Sequence, residues 1–201
     1  MAGFAVMAQD EESKGFKKEN LFTGGNITLS FFNGTTILGA SPIFGYRIAN
    51  WVDAGLVFNY IYSGQRDVYE IDDKIRQYVS GGGAFVRLYP VNFLFLQGQF
   101  EHNFTTLKYK PSPGSALYTP YKETNDANSL LVGAGYTQGR GPGSNTFYYV
   151  SILFDVLKNT NSPYVDVVYN PNTGLYSTRA VPIIRAGFNI GLFEGRNSRR
   201  R

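Results

Sequence analysis

The chain has 201 residues, of which 16% are aromatic and 43% hydrophobic, and its formal net charge at pH 7 is +4. This length suits one domain, and so much apolar and aromatic material excludes intrinsic disorder. No apolar run approaches the roughly 18 residues that a membrane-spanning helix needs, whereas spanning strands of a β-barrel pass that test. The absence of cysteine excludes a disulfide framework and a thiolate site.

The two ends of the chain differ in composition from the middle. Residues 1–20 begin apolar and become charged after Ala8, and the small residues before Gln9 resemble the end of a secretory signal. We therefore interpret 1–20 as the end of a signal peptide followed by a charged arm. The alternative is an ordinary N-terminal segment without a targeting role. Residues 194–201 form a basic tail that supplies most of the net charge, so the charge does not indicate a nucleic-acid partner.

Between these ends, residues 21–193 alternate apolar with small or polar side chains, the period of a β-strand whose faces meet different surroundings. The fifth segment shows this most clearly, since Leu94 and Leu96 share a face opposite Gln97 and Gln99. We expect eight strands, at 21–32, 37–48, 52–62, 75–89, 93–107, 129–139, 146–157 and 179–193.

The connections between these strands are of two lengths. Short turns are expected near Asn50, Pro90 and Arg140, and long loops at 63–74, 108–128 and 158–178, the last of them holding a hairpin that turns at 170–174. Asn33-Gly34 predicts a tight turn in place of a long first loop. Short turns at one rim and longer loops at the other are typical of an up-and-down barrel.

Charged residues on the small-or-polar faces indicate which way the barrel faces. Three of each sign occur there: Arg47, Asp53, Arg87, Glu101, Asp155 and Arg185. An eight-stranded barrel has room inside only for side chains, and buried charges must pair. The large apolar side chains could not all fit inside, so we expect the apolar face to point outward and these charges to form an interior network, with Arg185 paired to Glu101 or Asp155. Such a network is expected to fill the lumen, with ion conduction as the alternative.

Aromatic residues fall into two groups. Those near strand ends are expected to form interfacial girdles, with ordinary core packing as the alternative: Tyr46, Trp51, Tyr60, Tyr62, Tyr89, Phe104 and Tyr148. Those in the long loops suit adaptable contacts to sugar or protein, or are simply exposed: Tyr109, Tyr118, Tyr121, Tyr164, Tyr169 and Tyr176.

The alternation over about 21–193 resembles the small outer-membrane β-barrel proteins of Gram-negative bacteria, similar to OmpX and the OmpA transmembrane domain, in a style that resembles Bacteroidota members. The resemblance implies an all-β, eight-stranded antiparallel up-and-down transmembrane β-barrel in the bacterial outer membrane, in contact with its lipid and lipopolysaccharide and with other outer-membrane proteins. It also implies an assembly signal in the last strand, where Ile184, Phe188 and Ile190 fit and Phe193 is out of phase.

Catalysis has little support in the sequence. His102 is the only histidine, so no histidine pair can bind a metal, and a Ser-His-acid set with Ser129 or Ser151 is a minor alternative. Residues 133–139 lack the third glycine of a dinucleotide loop. We predict no enzyme activity, no cofactor and no metal.

The predicted role is a structural, adhesive or accessory barrel that presents long tyrosine-rich loops. Three alternatives remain: a subunit of a larger outer-membrane secretion, assembly or uptake complex, a soluble lipocalin-like carrier of an apolar ligand, and a membrane-embedded hydrolase that uses His102.

Overall fold

The computed structural model describes residues 16–32, 35–141, 144–171 and 174–193. After a single 3₁₀ turn at Lys18–Asn20, the described chain is built of strands. They are β1 (Leu21–Phe32), β2 (Thr35–Ala49), β3 (Val52–Arg66), β4 (Lys74–Val91), β5 (Leu94–Lys110), β6 (Tyr121–Gln138), β7 (Phe147–Asp155), β8 (Val165–Asn170), β9 (Leu175–Ala180) and β10 (Ile183–Gly191). Among the described residues, no helix is long and apolar enough to cross a membrane.

Eight of these strands close into a barrel in the order β1-β10-β7-β6-β5-β4-β3-β2, and every neighbouring pair is antiparallel. β8 and β9 form a separate two-stranded hairpin within the connection from β7 to β10. The predicted fold class, an all-β, eight-stranded antiparallel up-and-down barrel, is confirmed.

Several strand boundaries differ from the sequence expectation, and two of the differences have a clear physical reason. β6 begins at Tyr121 instead of 129, because it pairs with β5 well beyond the apolar alternation, where both sheet faces carry polar side chains. The expected last strand divides at Val181-Pro182, so that 175–180 belongs to β9 and β10 begins at Ile183. Proline has no N–H to give to a ladder and ends strand pairing there. The turn predicted at Asn33-Gly34 lies outside the described residues.

The two faces of the wall differ in chemistry. Outward side chains form an apolar belt, here defined as Phe44, Leu56, Phe58, Val86, Leu96, Phe100, Val132, Val150, Ile152, Phe154, Ile184, Phe188 and Ile190, all of which are exposed. Inward side chains are buried and largely polar, with apolar clusters between them, such as Phe22, Ile43, Val57 and Phe85. The apolar face therefore points away from the lumen, as the volume of the side chains predicts.

The two rims also differ. The connections at 50–51, 92–93 and 139–146 share one rim with the start of β1 and the end of β10, and we call this the turn rim. The connections at 67–73, 111–120 and 156–182 lie at the other, the loop rim. There β4, β5 and β6 project beyond β7 and β10, since β6 pairs with β7 only from Leu131 onward. The projecting sheet thus forms an ordered, strand-paired surface on one side of the loop rim.

Close backbone packing of the wall predicts a difference between two glycines. A Cβ added at Gly83, on the inner face of β4, would overlap the carbonyl oxygen of Phe100, whereas one at Gly98, on the outer face of β5, would meet nothing within 4 Å. Gly83→Ala should lower the free energy of unfolding by about 1–3 kcal/mol, and Gly98→Ala should change it by less than about 0.5 kcal/mol. Urea unfolding of the refolded barrel measures both, and equal losses would contradict the assigned faces.

Candidate functional site

All six charged residues predicted for the interior lie on the inner face of the wall. Their side chains are almost completely buried, and Arg47, at 5% exposure, is the most accessible. Their ion pairs fall into two centres, around Asp53 and around Glu101. Gln97 and Gln99 connect Arg87 to the Glu101 centre by a chain of hydrogen bonds. Each centre satisfies its charges in a different way.

The centre nearest the loop rim is built around Glu101. Its Oε1 lies 3.1 Å from Nη2 of Arg185, and its Oε2 accepts hydrogen bonds from the Tyr164 hydroxyl at 2.8 Å and Nδ2 of Asn103 at 2.9 Å. Gln99 donates a further short bond to Oε1. Both carboxylate oxygens are therefore partnered, which a buried ion pair requires if it is to offset its desolvation.

The centre at the turn rim is built around Asp53. Its Oδ1 lies 3.8 Å from Nε of Arg47 and 3.3 Å from Nη2 of Arg140. The Arg140 guanidinium also sits 3.5 Å from the centroid of the Tyr89 ring and donates to the carbonyl oxygen of Asn50 at 2.9 Å. Sequence reasoning assigned Arg140 to a turn and missed this role, because alternation says nothing about a turn residue that folds back into the lumen.

Arg87 lies between these centres and, among the described residues, makes no ion pair. Its guanidinium packs 4.1 Å from the centroid of the Tyr149 ring, and Nε donates to Oε1 of Gln97 at 2.8 Å. Aromatic faces and amide oxygens thus stabilise a cation for which the sequence indicated a carboxylate partner. Asp155 is likewise no partner of Arg185, because its carboxylate accepts from the Ser162 hydroxyl at 2.6 Å and from the Leu130 amide at 3.2 Å.

Three predicted aromatic positions are corrected by the structure. Tyr89, expected in the interfacial girdle, shares the inner face with Arg87 two residues away and is buried. Tyr164, expected as a loop contact, points into the lumen because its hydroxyl completes the Glu101 centre. Tyr109 is also buried, and its hydroxyl donates a hydrogen bond to Asp73 at 3.2 Å.

The remaining predicted aromatics have outward or rim positions. Among the girdle residues, Trp51, Tyr60, Phe104 and Tyr148 are exposed, and Tyr46 and Tyr62 are half-buried. Among the loop residues, Tyr118, Tyr121 and Tyr176 are exposed, and the backbone of Tyr169 lies in β8. Their roles at an interface or in binding stay predictions.

The β3–β4 loop at the loop rim is fixed by one buried carboxylate. Asp73 accepts hydrogen bonds from the amides of Val68, Tyr69 and Glu70 at 2.7, 2.8 and 3.1 Å. Burial by itself raises the pKa of Asp73, but these donors and the Tyr109 hydroxyl together outweigh it and hold that pKa below its ordinary value. Because its pKa is depressed, the ionised carboxylate stabilises this loop fully at a pH above the pKa of an unfolded aspartate. The stabilisation is lost as the pH falls through the pKa of Asp73 in the folded protein.

A band of cations covers the outer face of the projecting sheet. It comprises Arg66, Lys74, Arg76, Lys108, Lys110 and Lys122, and we call it the basic band. The strand register places Lys74 between Arg66 and Lys110, and Lys108 between Arg76 and Lys122, so each cation lies beside another. Among the described residues none of the six forms an ion pair. Like charges side by side destabilise a sheet, so this face carries a concentrated positive charge at a cost in stability.

Sequence reasoning missed the basic band because its members fall in the predicted loops 63–74 and 108–128 or just after them. The signal was nevertheless present in Lys74-Ile75-Arg76 and Lys108-Tyr109-Lys110, where cations recur at the strand period of two.

The minor catalytic alternative fails on geometry. His102 lies on the outer face of β5, where Nδ1 bonds Oδ1 of Asn128 at 2.8 Å, whereas Ser129 and Ser151 are buried on the inner face. The barrel wall separates the imidazole from both hydroxyls. Within the described residues, no group of three or more metal-ligating side chains is assembled.

Comparison with known proteins gives little for this chain. No family model matches its sequence, and no curated protein does. A solved structure with a similar shape is that of Ail, the attachment invasion locus protein of Yersinia pestis, in complex with the heparin analogue sucrose octasulfate. It shares 12% identity, with a TM-score of 0.44, over 85% of this chain and 94% of that one. At this distance, the barrel described above rests on the strand pairing of the chain itself.

The Glu101 centre predicts a strong coupling between two buried charges. Glu101→Gln or Arg185→Met alone should lower the free energy of unfolding by about 3–5 kcal/mol, because each leaves the other charge unpaired. The double variant should lose clearly less than the sum of the two. Arg179→Met, on the exposed β9, is the matched control and should be near neutral. Additive losses in a urea-unfolding cycle would show that the two charges are not a pair.

Proposed function

We propose that this protein is a non-enzymatic barrel of the bacterial outer membrane, whose apolar belt anchors it and whose projecting sheet holds anionic groups at the membrane surface. It acts as an adhesive or accessory barrel, with the loop rim facing out of the cell. The single observation that carries the proposal is the position of the basic band, which lies on the same outer face of the wall as the apolar belt and closer to the loop rim.

The apolar belt has the chemistry and height of a surface in contact with lipid. Outward residues of β7 and β10 are apolar along almost their whole length, and each strand has nine residues. Spanning strands need about 9 to 11 residues. A water-soluble carrier would place its apolar side chains in the lumen, whereas this chain places Arg87, Glu101 and Arg185 there. The apolar and polar faces of the wall are therefore on the opposite sides from those that a soluble carrier would have.

The chemistry of the basic band favours phosphate groups. A row of tyrosine and threonine, which includes Tyr78 and Thr106, separates it from the belt, and Nζ of Lys108 lies 5.2 Å from the centroid of the Tyr78 ring. Cations at this height meet lipid headgroups, and each contributes on the order of 1 kcal/mol near an anionic surface. Arginine adds bidentate hydrogen bonding to phosphate oxygens. The phosphates of lipopolysaccharide, the anionic lipid of the outer leaflet, fit this band.

A second candidate, a subunit of a larger outer-membrane complex, is favoured by the β8–β9 hairpin. This hairpin stands outside the barrel wall and exposes Val167, Val168, Leu175 and Tyr176. In addition, β6 from Tyr121 to Leu130 pairs with β5 on one side and with no described strand on the other. An exposed apolar hairpin and an unpaired strand edge are each suited to contact with another protein.

The proposal predicts that charge reversal within the basic band weakens binding of lipopolysaccharide. Arg76→Glu with Lys108→Glu should lower the affinity by on the order of 10- to 100-fold at low salt, because two attractions become repulsions. Lys17→Glu with Lys18→Glu makes the same charge change at the exposed turn rim and should have little effect. Titration of the barrel in phosphatidylcholine nanodiscs with lipopolysaccharide measures this.

A further titration, in addition to those of the band variant and its control, uses lipopolysaccharide whose lipid A phosphates have been removed. It should bind the native barrel as weakly as intact lipopolysaccharide binds the reversed variant. Equal binding by native barrel, band variant and control would overturn the assignment of the basic band.

A further inference from the structure

β1 and β10 stop pairing before either strand ends. Their last paired residues are Ile27 and Ala186, although β1 continues to Phe32 and β10 reaches back to Ile183. Beyond that pair, β1 stays bonded to β2, and β10 stays bonded to β7. Among the described residues the two strands therefore separate at their loop ends and leave a seam in the wall.

A cavity of about 230 Å³ lies directly behind this seam. Thr28 lines it from β1, and Ile183 and Ile184 line it from β10, so the cavity touches both lips of the seam. The far wall is made by Ile61 of β3 and Val79 of β4, both of which are buried. The cavity thus extends from the seam across the mouth of the barrel.

The lining is mostly apolar, and one buried polar atom in it is unsatisfied. Oγ1 of Thr28 is buried without a hydrogen-bond partner. Gly39 keeps space open beside it, since a Cβ there would lie 3.0 Å from Cγ1 of Ile61 and 3.3 Å from Cβ of Thr28. A buried hydroxyl normally has a partner, so one is missing at this point of the lining.

Both ends of the cavity have a defined chemistry. On the lumen side it ends at Tyr164, whose hydroxyl is engaged by Glu101, so the charged centre closes the floor. On the seam side it reaches Ile184, which is 61% exposed and belongs to the apolar belt. The apolar lining is therefore continuous with the surface proposed to contact lipid.

We propose that this cavity binds the end of one hydrocarbon chain of a membrane lipid, which enters from the outer leaflet between β1 and β10. An apolar cavity of about 150 Å³ holds benzene, so 230 Å³ takes a chain segment of about six to nine carbons. Where the enclosed part of the chain carries a hydroxyl group, that hydroxyl supplies the partner that Thr28 lacks. The site rests on the proposed membrane location and adds to it a specific lipid contact inside the barrel.

The experiment uses a phosphatidylcholine that carries a diazirine near the end of one acyl chain. The barrel is reconstituted in nanodiscs with this lipid, irradiated, and mapped by mass spectrometry for cross-linked residues. We expect cross-links on inward residues at the cavity, such as Ile61 and Val79, in addition to those on the apolar belt.

Two matched variants of β4 test the cavity itself. Val79→Phe fills the cavity from its far wall, and Val86→Phe makes the same change on the outer face. Val79→Phe should reduce cross-linking of Ile61 at least fivefold and leave belt cross-links unchanged, whereas Val86→Phe should preserve both. If Val79→Phe fails to fold, Ile37→Phe, at the half-buried edge of the same cavity, replaces it.

The other outcomes separate this site from the membrane location. Belt cross-links without any at Ile61 or Val79 would overturn the lipid site and leave the membrane barrel standing. The absence of belt cross-links would overturn both. Labelling of the same inward residues by a water-soluble diazirine fatty acid in detergent, but never by the lipid, would assign the cavity to a ligand from solution and overturn a lipid source.

Discussion

Closure of the sheet is the constraint on which the rest of this structure depends. β1 pairs with both β2 and β10, so up to the seam beyond Ile27 and Ala186 the backbone N–H and C=O groups of the wall bond to neighbouring strands. Hydrocarbon offers no partner for such groups, and a closed barrel satisfies them without one. Once the ring is closed at eight strands, its lumen accepts only side chains, and the large apolar ones must lie outside.

The narrow lumen then determines how charge is held. Arg47 and Arg140 meet Asp53 near the turn rim, Arg185 meets Glu101 near the loop rim, and aromatic rings surround Arg87 between them. These centres tie strands that are distant in sequence to one another across the lumen. A filled barrel of this kind is suited to anchoring, and the projecting sheet and the seam at the loop rim are the surfaces that we propose bind other molecules.

Period-two alternation was enough to predict the fold class and the faces of the wall, because successive residues of β5, β7 and β10 alternate between the two faces. It could not predict the partner of Arg87, which depends on the positions of Tyr149 and Gln97 in three dimensions. It also missed the basic band, since both faces of the projecting sheet carry polar side chains and give no apolar alternation. The role of Arg140 was missed for a related reason, because a residue in a turn that folds into the lumen is not part of the alternating sequence pattern of a strand.

The account depends most on the claim that hydrocarbon surrounds the outer face and, apart from the cavity behind the seam, does not reach the inner face. Nuclear Overhauser effects between detergent alkyl protons and valine, leucine and isoleucine methyl groups in micelles measure this directly. We predict contacts to Val86, Val150 and Ile152, on the outer face, and none to the buried Ile43 and Val57, which lie away from the cavity. Alkyl contacts to the second group, or contacts from the first group to water alone, would contradict the account.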